Sequence, residues 1–147
     1  MTWRDLLEQK RVIEEPTSRA ELEGLLSLVR RNMADAAITE LSEDGRFDHA
    51  YGAARTLATL VIRSEGYRVT PAGGGHYNTF LALKVADFTA FSAYAIYFNM
   101  CRSKRNELSY DGIEIVSFAE AEKLIQEVRK FEVAVHAWLA ANHPELQ

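Results

Sequence analysis

One cysteine in 147 residues, Cys101, leaves no intrachain disulfide to form, and its place on an apolar helical face predicts a small packed hydrophobe rather than a nucleophile. A reducing cytoplasm is the compartment that fits. No stretch approaches the roughly 18 consecutive apolar residues of a membrane span. The opening residues MTWRDLLEQK are too charged for a secretory signal, so a soluble, unexported, cytoplasmic protein with no membrane partner is expected. A basic excess is missing as well. The formal net charge of -4 argues against a general nucleic-acid coat. Only two local clusters remain, Arg30 with Arg31 and Arg102 with Lys104 and Arg105, so any contact with RNA or a nucleotide has to be focused at one site.

The usual catalytic signatures are absent too. There is no HExxH, no CxxC and no pair of histidines at helical ligand spacing, because His49, His76, His136 and His143 are scattered. Neither a metal nor a cofactor is expected. There is no GxSxG elbow and no GxGxxG following a strand. The glycine run Gly73-Gly74-Gly75 lacks the Lys-Ser/Thr of a phosphate-binding P-loop.

What is present is helical periodicity over almost the whole length. The chain is long enough to bury one core, with residues 1–16 read as a short helix and linker and residues 17–147 as a helical bundle domain. Residues 2–10 form a short amphipathic helix behind Thr2, and residues 11–16 break it. Ser18 and Glu21 have capping-box spacing and open a helix that runs to about Glu40 on Leu22, Leu25, Leu26, Val29, Met33 and Ala36. Residues 41–45 turn. The next helix runs to about Glu65, and Gly66 stands where a left-handed cap is expected. Tyr51 and Arg55, one turn apart on its inner half, are read as packing and surface residues rather than ligands. Residues 67–78 are the one long loop, expected to be mobile at its glycines, with His76 able to swing over a site. A short helix over 79–87, a long one over 89–109 and a connection over 110–116 follow; its Ile113, Ile115 and Val116 alternate briefly in a strand-like way. Ser117 and Glu120 form a second capping box before a final helix that stops at Asn142 and Pro144. The fold class is therefore all-α, an up-and-down bundle of about five to six helices.

The stretch YFNMCRSKRNELSYDG, residues 97–112, draws the functional reading. The apolar stripe Phe91, Tyr94, Ala95, Phe98, Cys101 runs on into Arg102 and Arg105. A guanidinium on a core-facing stripe needs a carboxylate, carbonyls, a partner subunit or a phosphate. Either it meets a ligand, or it snorkels and pairs with Glu107, Asp111 or acids of another helix. Asn106, Ser109, Tyr110 and Asp111 add donors and acceptors.

Arg105-Asn106 with Tyr110-Asp111 at the end of the penultimate long helix, then a Ser/Glu cap and a last helix ending in Trp138-Leu139, resembles small bacterial members of the HEPN superfamily over about residues 18–146. The resemblance implies a bundle that dimerises, with polar residues of both subunits meeting in a cleft. Active ribonucleases of that superfamily carry an Arg-x(4-6)-His motif with a polar residue after the Arg. Arg105 and Asn106 match its first half, but Tyr110, Asp111 and Gly112 stand where the histidine is expected. A tyrosine of ordinary pKa near 10 is a poor base at neutral pH.

Three readings follow. The preferred one is a non-catalytic HEPN-like module that binds RNA or a nucleotide through Arg102, Arg105, Asn106, Tyr110, Asp111 and His76, with a cognate nucleotidyltransferase or antitoxin as partner. The second is a metal-independent ribonuclease in which Arg105, Asn106 and Tyr110 are catalytic and His76, Tyr110 or Asp111 handles the proton. The third is a dimeric structural or interaction protein whose arginines knit subunits together. Several apolar stripes predict a homodimer in each case.

Overall fold

The computed structural model describes the backbone of residues 1–111 and 116–147 and the side chains of residues 1–106 and 116–147. It is an all-α helical bundle with one very small sheet. Among the described residues six α-helices follow in order: α1 (Trp3–Glu8), α2 (Arg19–Ala36), α3 (Glu43–Ser64), α4 (Gly75–Ala86), α5 (Phe88–Asp111) and α6 (Phe118–Asn142). Among the described residues no helix is long and apolar enough to cross a membrane.

The bundle is built around α3. It packs against α2, α4, α5 and α6, and its small residues Ala50, Ala53, Ala54 and Ala58 are fully buried, which lets neighbouring backbones come close. Around it Phe80, Phe91, Phe98 and Phe131 form a chain of tilted and edge-on rings, with centroids 5.1 to 6.1 Å apart. Cys101 lies in this core as a packed thiol, and burial pushes its pKa up to about 11.

Local signals fix most helix ends. Ser42 accepts from the Gly45 amide at the start of α3, Gly66 takes φ +88° just past its end, and Ser117 with Glu120 forms the expected reciprocal box. Four readings are corrected. Ser18 does accept from the Glu21 amide, but the Glu21 carboxylate does not reach back; Thr17, Arg63 and Arg68 hold it instead. Helix α2 stops at Ala36 rather than near Glu40, and the buried Arg46 donates its Nε to the Ala36 carbonyl at 2.8 Å. The segments read as linker and loop contain strands β1 (Val12–Glu14) and β2 (Tyr67–Val69), paired antiparallel with Ile13 opposite Arg68. Helix α4 begins at Gly75, not Thr79, so the loop shrinks to residues 70–74. The strand-like alternation over residues 113–116 falls largely outside the described residues.

The first sixteen residues close a second, smaller core. Leu6 and Val12 pack with Ile62 and Ala82, and Trp3 stacks on Tyr67 at 4.2 Å and 11°. Arg63, 2 % exposed at the end of α3, ties this segment down through the carbonyls of Glu15, Pro16 and Tyr67 and the carboxylate of Glu21.

Candidate functional site

Helix α4 is set by what precedes it. Gly73 and Gly74 take φ +80° and +106°, left-handed values that a side chain would strain, and a Cβ on Gly73 would stand 2.8 Å from Arg11 Nη1. Asn78, 1 % exposed, donates to the Thr70 and Ala72 carbonyls and accepts from Arg11 Nη1 at 2.6 Å. These bonds tie the short loop to the first turn of α4. His76 therefore does not swing on a glycine hinge; it stands in a helix.

From there His76 meets α3. Its Nδ1 lies 2.9 Å from the hydroxyl of Tyr51, a side chain 1 % exposed, with ring centroids 5.8 Å apart. Arg105 reaches back from α5, its guanidinium 5.6 Å above the Tyr51 ring and its Nε 2.8 Å from Asp48 Oδ1. Arg102, one turn earlier, donates its Nε to Asn99 Oδ1 at 2.9 Å and lies 5.8 Å from the Tyr77 ring. Arg11 approaches the same ring at 5.5 Å. Arg55 is exposed on α3, one turn beyond Tyr51.

Charge and burial act together here. Burial first, then the positive charges of Arg55, Arg105 and Arg102, push the His76 pKa down to about 4. The imidazole is neutral at physiological pH. Burial pushes the Tyr51 hydroxyl up to about 12 against the opposing pull of the same three arginines, so it keeps its proton. The result is an uncharged imidazole–phenol pair within electrostatic reach of three guanidinium groups, with His76 and Arg55 also lining a cleft of about 230 Å³ beside Thr59, Arg68 and Thr70. Such an arrangement attracts anions; its imidazole is unprotonated but, at a pKa of about 4, a weaker base than an ordinary histidine, and an anion bound beside it would raise that value.

The fold thus brings together Arg102, Arg105 and His76, which the sequence reading singled out. Asn106 follows Arg105 on α5, half-buried. The side chains of Tyr110 and Asp111 lie outside the described residues, as do those of Glu107 and Ser109. Sequence reasoning did not assign Asp48 or Arg11 to the site and read Tyr51 and Arg55 as packing and surface. Only the one-turn spacing of Tyr51 and Arg55 on the inner half of α3 hinted at them. Among the described residues no three His, Cys, Asp or Glu side chains cluster in a way that could hold a metal ion. Comparisons with protein-family models, with curated proteins and with solved structures give no match.

The histidine carries a pH prediction. Its ordinary value is 6.5 and its folded value about 4, so between them the unfolded chain binds more protons than the folded one. The stability contributed by neutral His76 is whole above about pH 6.5 and is lost as pH falls toward 4. Thermal melts across that window should show the wild type losing melting temperature faster than His76→Asn. Parallel curves would show that this imidazole is not held neutral.

Proposed function

We propose that this chain is an HEPN-like helical module that binds RNA or a nucleotide by its phosphate, at the cluster formed by Arg55, Arg102 and Arg105 around Tyr51 and His76. The observations that carry the reading are the Arg105 guanidinium 5.6 Å over the Tyr51 ring, the Tyr51–His76 bond beneath it, and the positive charges of Arg55, Arg102 and Arg105 that all act on that pair. Within an acidic chain, that local charge meets the requirement that anion contact be focused at a single place. Arginine is suited to the task, because its planar fork matches a phosphate in two parallel bonds. Assembly as a homodimer rests on the apolar stripes of the sequence and on the resemblance. The cytoplasm as compartment, and a nucleotidyltransferase or antitoxin as partner, rest on the composition and the resemblance.

A second reading, a metal-independent ribonuclease, gains support from the position of His76. The superfamily motif lacks its histidine in this chain, and His76 brings an unprotonated imidazole close to Arg105 from another helix. In that reading His76 accepts the proton of the RNA 2′-hydroxyl while Arg105 stabilises charge developing on the phosphate.

Fluorescence anisotropy with a short single-stranded oligoribonucleotide tests the binding module. Affinity should be measurable at low salt and fall with rising salt at a logarithmic slope of about -1.5 to -2, as expected for two to three neutralised phosphates at roughly -0.7 each. No affinity at low salt would sink the proposal. Incubating the same RNA in the presence of a chelator tests the second reading: cleavage by the wild type that His76→Ala abolishes would establish the ribonuclease.

A further inference from the structure

The cleft that His76 shares with Arg55 is walled by three elements, with Arg55 and Thr59 from α3, Arg68 from β2, and Thr70 and His76 from the loop and first turn of α4. Among the described residues no carboxylate lines it. Its hydroxyls are spent inward, since Thr59 donates to the Arg55 carbonyl and Thr70 to that of Lys10. Arg68 and the buried Arg63 beside it share the carboxylates of Glu15 and Glu21, two charges against two. Arg55 is the surplus. It is exposed, and among the described residues its guanidinium has neither a hydrogen bond nor an acid to pair with.

His76 adds a donor to the same wall. The Tyr51 hydroxyl is buried and keeps its proton, and His76 Nδ1, at 2.9 Å, is its one hydrogen-bond partner among the described residues. A buried O–H needs an acceptor, so the phenol donates to Nδ1 and the neutral imidazole carries its own hydrogen on Nε2. That N–H has no partner among the described residues. Of the three arginines whose charge acts on His76, Arg55 acts most strongly, which sets the unpaired guanidinium nearest the imidazole. Two donor groups with nothing in the protein to donate to, in a cleft without an acid, suit an anion rich in acceptor oxygens. Size sets the limit. At about 230 Å³ the cleft is smaller than the roughly 300–1,000 Å³ of those that take whole small molecules, so it holds a phosphate and not the nucleoside attached to it. An internal phosphate of a strand carries a nucleoside on each side, whereas a terminal monoester carries one, with three free oxygens and a second charge.

We infer that the cleft between α3, β2 and α4 is an end-recognition pocket, in which Arg55 and His76 hold the terminal phosphate monoester of an RNA strand. The inference rests on the phosphate-binding reading above and adds to it the part of the ligand that is read, its phosphorylated end. Arg55 meets two oxygens through its planar fork, and the Nε2–H of His76 meets the third. Arg105, over the Tyr51 ring, then holds a backbone phosphate further along the strand. Here the imidazole gives a hydrogen bond, so the inference belongs to the binding module and not to the ribonuclease, in which His76 would have to accept a proton.

The test uses anisotropy with three versions of one short, internally labelled oligoribonucleotide, bearing a 5′-phosphate, a 3′-phosphate or hydroxyls at both ends. One or both of the phosphorylated strands should bind the wild type about tenfold or more tightly than the hydroxyl-ended strand, the scale of charge-assisted hydrogen bonds. Arg55→Ala should erase that preference, and Arg55→Lys should keep only part of it, because a point charge lacks the fork. Arg105→Ala should instead weaken all three strands alike. The Arg55 side chain is exposed and unbonded, so a thermal melt of Arg55→Ala should match the wild type. Equal binding of the three strands, or a preference that survives Arg55→Ala, would overturn the pocket while leaving the phosphate site standing. Failure of all three strands to bind at low salt would instead remove the phosphate reading and the pocket with it.

Discussion

Replacing Arg63 by methionine should lower the stability of the fold by about 3 to 5 kcal/mol, the scale on which breaking a buried, hydrogen-bonded charge is felt. The side chain is 2 % exposed and its five N–H donors are well used. Nε reaches Glu21 at 2.9 Å, Nη1 reaches the carbonyls of Glu15 and Tyr67 at 2.8 and 2.9 Å, and Nη2 reaches that of Pro16 at 2.8 Å. Methionine fills much of the volume but satisfies none of these acceptors. The cost is therefore desolvated carbonyls and a carboxylate that loses its buried partner, not a cavity. Burial raises the Glu21 pKa, yet its bonds from Thr17, Arg68 and Arg63 outweigh this and hold it below its ordinary value.

In a chain of this size the loss corresponds to a melting temperature lower by roughly 10 °C. It should also free the first sixteen residues, because two of the four bonds just named hold the carbonyls of Glu15 and Pro16. Protease should then cut at residues 11–16, and Arg11, which holds Asn78 and flanks Tyr77, would no longer brace the site. A loss under about 1 kcal/mol, the size of an exposed ion pair, would show that the arginine is no more than a surface contact.

That arginine marks the boundary of what the sequence reveals. Helix starts at Ser18 and Ser117 and the cap at Gly66 were legible because each is a contract between residues a few positions apart, whereas the start of α3 at Glu43 behind Ser42 was read as part of a turn over residues 41–45. The all-α class followed from the same local periodicities. Burial of Arg63 and Arg46 was not legible, since it depends on Glu15 and Glu21 in one case and on Ala36 and Glu122 in the other. Two strands of three residues each are too short to show a period, and only their pairing across 53 to 57 positions makes them strands. The start of α4 was hidden by the glycines, which read as a mobile hinge until Arg11 and Asn78 are brought against them.

The site divides in the same way. Arg102 and Arg105 could be named because an apolar helical stripe ran into them, a local anomaly. His76 could be named only as a loop histidine. Its partnership with Tyr51 spans 25 positions and three elements converge on it, so the sequence held the parts without their assembly.

Arg105→Ala is the substitution on which the functional reading turns. It should weaken RNA or nucleotide binding by about 1.5 to 3 kcal/mol, the worth of a charge-assisted contact to phosphate, with little change in melting temperature. Little change is expected because the Arg105–Asp48 pair is half open to water, at 35 % and 55 % side-chain exposure, where such pairs contribute at most about 1 kcal/mol. Asp48 then supplies the control. If the guanidinium exists to receive phosphate, the Asp48 carboxylate competes with the ligand, and Asp48→Asn should leave binding intact or strengthen it. If the pair exists to fasten α5 to α3, Asp48→Asn and Arg105→Ala should destabilise the bundle alike and neither should act on binding first. Measuring affinity and melting temperature for both variants separates the two: a binding loss confined to Arg105→Ala supports the phosphate site, whereas matched losses of stability with unchanged affinity would leave Arg105 a structural tie.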